Sequence, residues 1–454
     1  MYQSYRHNKW RKDTIRSVNP YRILALSFLV AMTIGSLLLM LPMATAPGEH
    51  TRFVDAAFTA VSCVSVTGLA TVDTYTHWTL FGRVIMTILI QLGGLGIMTF
   101  TTLVAIVFGQ RIGLKSRLLL QEDLGQEGLR GLMRIARRVA YLTFGAEFVG
   151  GVLYVIQLKP YIGDEAYYVG FMQAISSFCN AGFVFFDNSL PYDMVGDWLF
   201  TIDTCGLIIL GGFGYMAVFD IVQNWKRGFV YFSLHTKVMI YGTVALIVLG
   251  TIGILGMEWS NPGTLGPLSV PDKIQAAFFQ AVTPRTAGLA TIDYGKVHAN
   301  TAFLTIILMF IGAGPNSTGG GVKISTMTVV WAAAISIFSN RNDVELFQRK
   351  LAAEQIYRAF ATVLFSSILI MFATGLLAWV EPHRFVDILF EVTSAFGTVG
   401  LSRGLTPDLT ELSKWTLIVV MYTGRIGVLT LIGALAMRRK RPNPVTYPEG
   451  NVLL

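Results

Sequence analysis

The sequence predicts an all-α polytopic membrane protein: four tandem repeats of helix, pore loop and helix, with eight transmembrane helices and four re-entrant half-helices around a pseudo-fourfold pore. Three observations predict it. Hydrophobic residues make up 53% of the 454 residues and charged residues only 14%, a balance that suits lipid rather than water. Apolar runs of membrane length, about 18 residues or more, recur eight times, near 21–42, 77–108, 136–157, 197–221, 236–257, 300–322, 356–380 and 413–436. Between the members of each successive pair stands a short apolar segment that ends in a glycine-centred tetrapeptide.

The elements follow in order. Residues 1–20 read as a cytoplasmic N-terminus, 21–110 as the first repeat, 111–228 as the second, 229–340 as the third, 341–437 as the fourth, and 438–454 as a cytoplasmic tail. Residues 21–42 exceed the apolar core of a secretory signal and read as a retained helix. Basic residues set the orientation, because loops rich in Lys and Arg stay in the cytoplasm. They cluster at Arg6, Lys9, Arg11, Lys12 and Arg16, in the loops holding Arg111 to Arg138, Lys226 to Lys237 and Arg341 to Arg358, and at Arg438 to Arg441. A multi-pass protein of the cell membrane with both termini cytoplasmic is therefore expected. The net charge of +8 follows from this topology and from contact with anionic lipid, so nucleic acid is not implied as a partner.

The tetrapeptides are Ser65-Val66-Thr67-Gly68, Cys179-Asn180-Ala181-Gly182, Arg285-Thr286-Ala287-Gly288 and Gly397-Thr398-Val399-Gly400. Each is followed by Leu69, Phe183, Leu289 or Leu401. The match reaches backwards too, with Phe58, Met172, Phe278 and Phe390 ten residues before the glycine, and Asp55, Val169, Gln275 and Asp387 thirteen before it. Each unit reads as a descending half-helix and an extended return. Non-helical backbone at membrane depth survives only where protein or a water-filled cavity satisfies it, so four returns require a shared cavity. Half-helix C-termini aimed there favour a cation, and backbone carbonyls there can replace its hydration shell. The repetition makes ion conduction the leading function.

The second helix of each unit carries glycines near mid-span: Gly93-Gly94-Leu95-Gly96, Gly211-Gly212-Phe213-Gly214, Gly312-Ala313-Gly314 and Gly424-Arg425-Ile426-Gly427. Three read as packing positions or mild bends. The third runs on through Pro315, Asn316, Ser317, Thr318, Gly319, Gly320 and Gly321, where the span should break and supply a movable constriction. Gly314 to Gly319 has the spacing of a nucleotide-binding P-loop, but Gly320 stands where lysine is required.

Isolated charges in spans need partners or water. Arg425 is expected at the constriction, bonding carbonyls freed by the broken helix or setting a positive barrier, with an ion pair to Glu391 as the structural alternative. Arg285 is expected to point away from the axis toward a carboxylate such as Glu391 or Asp55. Glu147 and Asp203 read as paired or solvated, and Lys323 as a cytoplasmic anchor or part of the gate. Cys63, Cys179 and Cys205 lack metal-ligand spacing and are odd in number, so neither a metal site nor a disulfide framework is implied. The six histidines suggest no catalytic set, and no enzyme is predicted.

Together these units, with Thr283-Pro284 before Arg285, Ala395-Phe396 before Gly397, the Gly312–Gly321 break and Gly424-Arg425-Ile426-Gly427, closely resemble the Trk/Ktr/HKT potassium-transporter superfamily over essentially the whole chain. The ending Tyr447-Pro448-Glu449-Gly450 is most similar to the membrane subunit of bacterial Ktr systems. The resemblance implies that Gly68, Gly182, Gly288 and Gly400 select potassium, that residues 312–321 form an intramembrane gating loop, and that Arg425 lies beside it. It also implies a homodimer seated on a cytosolic ring of nucleotide-binding regulatory subunits sensing ATP, ADP or NAD, no cofactor in this chain, and sodium-stimulated uptake. An alternating-access secondary transporter of a monovalent cation, of the kind that symporters exemplify, is the alternative.

Overall fold

The structure, a computed structural model, describes residues 20–97, 99–101, 103, 132–341 and 343–435. The basic clusters of the N-terminus, of the loop from Arg111 to Arg130 and of the C-terminal tail lie outside the described residues. The described chain is almost wholly helical. Its elements are α1 (Pro20–Leu39), α2 (Phe53–Ser65), α3 (Leu80–Leu95), α4 (Leu132–Ile162), α5 (Ala166–Cys179), α6 (Trp198–Gly212), α7 (Tyr215–Asn224), α8 (Leu234–Glu258), α9 (Val270–Val282), α10 (Ala299–Phe310), α11 (Ile324–Phe338), α12 (Ala353–Val380), α13 (Phe385–Gly397), α14 (Glu411–Ile426) and α15 (Val428–Leu435), with short helical turns between some of them. A hairpin pairs Glu345–Leu346 with Arg349–Lys350 ahead of α12. Among the described residues, four helical stretches are long and apolar enough to cross a membrane, and six are if each sharply bent pair counts as one span.

The short helices α2, α5, α9 and α13 stand where the sequence places its half-helices. Their ends have local causes. Ser269 caps α9 by accepting the Asp272 amide, and Pro284, which has no N–H to continue the ladder, follows the last turn of the same helix. The other three run to the first residue of their tetrapeptide and are closed by a left-handed residue, Val66, Asn180 or Thr398. The half-helices α2, α5 and α13 each pack between the two helices that flank them in sequence, and α9 packs on α8 before it. Each also packs against the second helix of the preceding unit: α5 on α3, α9 on α6, α13 on α10, and α2 on α14. The last of these contacts closes a circle.

Polar side chains mark the closure. Lys414 on α14 donates to Asp55 on α2 at 3.0 Å, with both side chains under 10% exposed. Tyr422 donates to the Ala25 carbonyl at 2.9 Å, and Arg22 to the Ala434 carbonyl at 2.7 Å. At the position matching Asp55 in the third unit, Gln275 donates to Thr201 on α6 at 2.7 Å and to the Asp197 carbonyl at 2.8 Å. Position thirteen before the glycine thus ties two of the half-helices to the unit before. The matching Asp387 instead pairs with Arg403 of its own return at 2.6 Å.

The second helices depart from expectation. The runs at 197–221 and 413–436 were read as mildly bent at most, yet α6 and α7 meet at 100° and α14 and α15 at 96°. The cause is one residue in each. Gly214 (φ 95°) and Gly427 (φ 89°) adopt a backbone that a Cβ disfavours, as does Gly96 (φ 80°) at the end of α3. In the third unit the break is a whole segment, residues 311–323, after which α11 resumes, so this run extends well past residue 322.

Removing Lys414 while Asp55 stays buried leaves a carboxylate without its buried counter-charge. Lys414→Met is expected to cost about 3 kcal/mol, measured as a lower midpoint of thermal unfolding in detergent, and the double variant with Asp55→Leu is expected to recover much of that loss.

Candidate functional site

The four tetrapeptides meet. Gly68, Gly182, Gly288 and Gly400 all have positive φ, from 72° to 92°, and each faces the backbone of the next unit. A Cβ built on Gly68 would lie 2.5 Å from the Ala181 carbonyl oxygen, and one on Gly182 would lie 3.0 Å from that of Ala287. On Gly288 it would strike the Val399 oxygen, and on Gly400 the Thr67 oxygen. Carbonyls of the third residues and glycines of the fourth therefore alternate around one closed ring.

The chain behind the ring fixes the orientation of these carbonyls. The amides of Thr67, Ala181 and Val399 donate back to the Ser62, Ser176 and Ser394 carbonyls at 2.7–2.8 Å, and Ala287 donates to Thr283 at 2.9 Å. Hydroxyls of the same residues finish the return: Ser62 and Ser394 accept the amides of Gly68 and Gly400 at 3.0 and 3.1 Å, while Ser176 and Thr283 donate to the Phe183 and Leu289 carbonyls. With amides engaged behind the strand, carbonyls are the polar groups left for the axis. The second residues, Val66, Asn180, Thr286 and Thr398, are all left-handed, with φ between 51° and 72°. For β-branched Val66, Thr286 and Thr398 this is a strained state of order 1–3 kcal/mol each.

The glycine ring lines one side of a cavity of about 420 Å³, shared with Asp73, Asp293, Tyr192 and Ser402. Asp187 stands at the matching place after the second tetrapeptide. There the Ser189 amide and hydroxyl hold its carboxyl below the ordinary range.

Beyond the ring, residues 311–323 form a loop bonded directly to the second and fourth units and, through Arg425, linked to the first. Thr318 and Gly314 donate to the Gly211 and Gly212 carbonyls at 3.2 and 2.9 Å, and Gly321 donates to Gly424 at 3.2 Å. Asn316 returns its carbonyl to the Tyr215 amide at 2.9 Å. These acceptors sit in the last turns of α6 and α14, where the breaks at Gly214 and Gly427 end the helical ladder. Arg425 donates to the carbonyls of Thr318 in the loop and Gly93 in α3. Lys323 donates to those of Gly319 and Gly320. Of the two roles open for Lys323, the loop contact is the one formed.

The loop also touches the tetrapeptides. Gly320 donates to the Thr398 hydroxyl at 2.9 Å, and a Cβ on Gly319 would collide with the Thr286 hydroxyl. A second cavity, of about 200 Å³, is lined by Gly96, Tyr215, Asn316, Gly319, Lys323 and Arg425. The tetrapeptides and the loop stand between the two cavities.

Two expected pairings do not form. Arg285, 2% exposed, reaches Thr243 on α8 at 3.2 Å rather than a carboxylate. Glu391 bonds neither arginine: it accepts from Ser402 and Thr406 of its own return, and Asp55 is taken by Lys414. Sequence reading also missed a cluster behind the second tetrapeptide, where Gln91 on α3 and Cys179 both donate to the buried Glu147, at 3.3 and 3.8 Å. A carboxyl and an amide on separate spans carry no local signal that they meet. Asp203 is buried on α6.

The family model for TrkH, described as a cation transport protein, matches residues 2–443. The chain belongs to this family. As a TrkH-family member with several helices able to cross a membrane, it is a multi-pass membrane protein. It is 40% identical over 446 residues to Ktr system potassium uptake protein B of Bacillus subtilis, covering 98% of this chain and 97% of that one. It is 37% identical over 444 residues to the protein of the same description from Vibrio alginolyticus, covering 98% and 96%. Its fold matches the crystal structure of the potassium transporter TrkH from Vibrio parahaemolyticus, with a TM-score of 0.71 at 18% identity, covering 92% of this chain and 84% of that one.

The close approach of second helices to half-helices is testable in this TrkH-family fold. Gly93 packs on the Val64 carbonyl so tightly that a Cβ would overlap it, whereas Gly145 on α4 has open space. Gly93→Ala is expected to lower the thermal unfolding midpoint, at a cost of about 1–3 kcal/mol, and Gly145→Ala is expected to leave it unchanged or raise it.

Proposed function

We propose that the chain is the translocating subunit of a Ktr-type potassium uptake system, passing the ion through a gated pore down the membrane potential. The observation that carries this reading is the closed ring of third-residue carbonyls and fourth-residue glycines. Four helix C-termini surround the ring, each with a partial negative charge of roughly half a unit, which favours a cation. The carbonyls of residues 65–68, 179–182, 285–288 and 397–400 act as the filter, where the ion exchanges water for backbone oxygen. The relatives named as potassium uptake proteins support potassium as the ion.

The four units form eight spans around this path, with both termini and the loop 311–323 toward the cytoplasm, in keeping with the basic loops. Gly312, Gly314, Pro315, Asn316, Ser317, Thr318, Gly319, Gly320 and Gly321, with Arg425 and Lys323, form the gate. It closes the path by lying across it and opens when its bonds to Gly211, Gly212 and Gly424 are exchanged for water. The driving force is about 2.3 kcal/mol per charge per 100 mV. The Ktr naming of the relatives supports a cytosolic partner; we place there the nucleotide-sensing ring, with the chain as a homodimer and sodium as a stimulating ion. Alternating access is kept as a second reading because all four second helices are interrupted, as transporter helices can be.

Rubidium or potassium uptake into proteoliposomes under an imposed inside-negative potential, with sodium competing, tests the reading. Potential-driven uptake that prefers potassium is expected; a flux that fails to follow the potential would favour alternating access. Deleting Gly314–Gly320 is expected to raise potassium flux, and unchanged flux through folded protein would remove the gate assignment. Gly400→Ser places a side chain against the Thr67 carbonyl, and the potassium-to-sodium flux ratio is expected to fall toward unity; a preserved ratio would count against the filter assignment.

A further inference from the structure

A third cavity, of about 350 Å³, lies away from the ion path, where the first turns of α8, α11 and α12 meet beneath the hairpin. Its wall is amphipathic. Leu234, Val238, Val329, Leu351 and Ala359 make one part apolar, while His235, Ser325, Thr326, Gln355 and Arg358 bring polar groups to the other. The imidazole Nε2 of His235 is buried without a hydrogen-bond partner, an unmet donor or acceptor of the kind that a ligand satisfies. Arg358 gives one nitrogen, Nη2, to Glu354 at 2.7 Å, and a guanidinium has further N–H donors in its fork.

Most acidic groups nearby are already engaged, while Glu345 on the hairpin points to solvent as an exposed side chain. Glu354 is held by Arg358. Asp220, which faces His235 from α7, accepts from the Ser233 amide, the Thr236 hydroxyl and the Asn224 amide group. On the hairpin Asp343 is paired with Lys350 at 2.6 Å. What remains for a ligand is an arginine, an imidazole nitrogen, an amide and two hydroxyls above an apolar slot.

The surroundings are those of a membrane boundary. Helices α8 and α12 are both candidate spans, and the cavity lies at their first turns. Trp331 on α11 and Tyr357 on α12, the latter next to Arg358 in sequence, are exposed, as aromatic side chains at a lipid interface are. Basic pockets between transmembrane helices at this depth suit phosphate-bearing head groups.

We propose that this cavity binds the phosphate of an anionic phospholipid from the leaflet on the gate side, with Arg358 and His235 on the phosphate and the apolar slot on the glycerol and upper acyl chain. The assignment of that leaflet as cytoplasmic rests on the topology given under the proposed function; the site itself does not. Its position gives it a route to the gate. Ser325 and Thr326 begin α11, two and three residues after Lys323, whose ammonium holds the Gly319 and Gly320 carbonyls. A head group seated on them bears on the helix end that anchors the loop.

The test uses the purified full chain in detergent, with phosphatidylglycerol or phosphatidylcholine added and the retained lipid counted by native mass spectrometry. Wild type is expected to retain phosphatidylglycerol in preference to phosphatidylcholine. Arg358→Ala and His235→Ala are each expected to weaken that preference roughly fivefold, and together to abolish it, with elution profile and unfolding midpoint unchanged. Gln355→Ala serves as a milder variant should either of these lose its fold. Equal retention of the two lipids, or preference preserved in the double variant, would overturn the site. Displacement of the lipid by inorganic phosphate would overturn the lipid as occupant and assign the cavity to a soluble phosphate. Because lipid retention is read without transport, failure here is distinct from failure of the flux experiment.

Discussion

Backbone meeting backbone without an intervening Cβ is the constraint on which this structure rests. It operates at two levels. At the ring, Gly68, Gly182, Gly288 and Gly400 let each strand come against a carbonyl of the next. Next to it, Gly93, Gly211 and Gly424 let the second helices come against the Val64, Phe178 and Phe396 carbonyls near the ends of the half-helices. Side chains at either level would push the four units off the axis, and the carbonyls would no longer face one point. Under the filter role proposed above, an ion losing water there needs those oxygens held in place before it arrives. The left-handed strain at Val66, Thr286 and Thr398 is tolerated for the same reason, since the surrounding bonds leave those residues no relaxed alternative.

The second constraint is that lipid cannot satisfy a freed amide or carbonyl. Interrupting a helix at Gly96, Gly214 or Gly427 exposes carbonyls in the turn before it, and interrupting the third run for thirteen residues exposes many amides. The two deficits answer each other. Amides of the loop take the Gly211, Gly212 and Gly424 carbonyls, and its surplus carbonyls go to Arg425 and Lys323. The sharp bends of the other second helices and the loop in the third are therefore one device. None of them would be stable at membrane depth alone.

Much of this was legible in the sequence. The four tetrapeptides, the short helices before them and the break read at 312–321 each carry a local signature of glycine, proline and apolar spacing, and Arg425 stood out as a cation within an apolar run. The bends at Gly214 and Gly427 were missed because a glycine that permits close packing and one that turns the chain look alike in a sequence; only the backbone dihedral separates them. Partner choice was equally hidden. Arg285 was matched to a carboxylate by charge, whereas burial beside α8 gave it a hydroxyl, and Asp55 met Lys414 across 359 positions of chain. Such pairs are set by the circular order of the units, in which α2 of the first packs on α14 of the last.

That circular order also explains how a single asymmetric loop comes to be tied, directly or through Arg425, to the other units. Here the loop leaves the third unit, bonds the second through Gly211 and Gly212, the fourth through Gly424 and Thr398, and reaches the first through the Arg425 bridge to Gly93. Each neutral contact contributes about 0.5–1.5 kcal/mol net and each charged one about 1.5–3, so none is decisive singly. The loop borders a cavity of about 200 Å³, room enough for waters to replace protein partners as bonds are exchanged. Under the gating proposed above, movement of the loop trades hydrogen bonds instead of losing them, while the glycine ring, held by close backbone packing and by the hydrogen bonds behind each strand, keeps its shape.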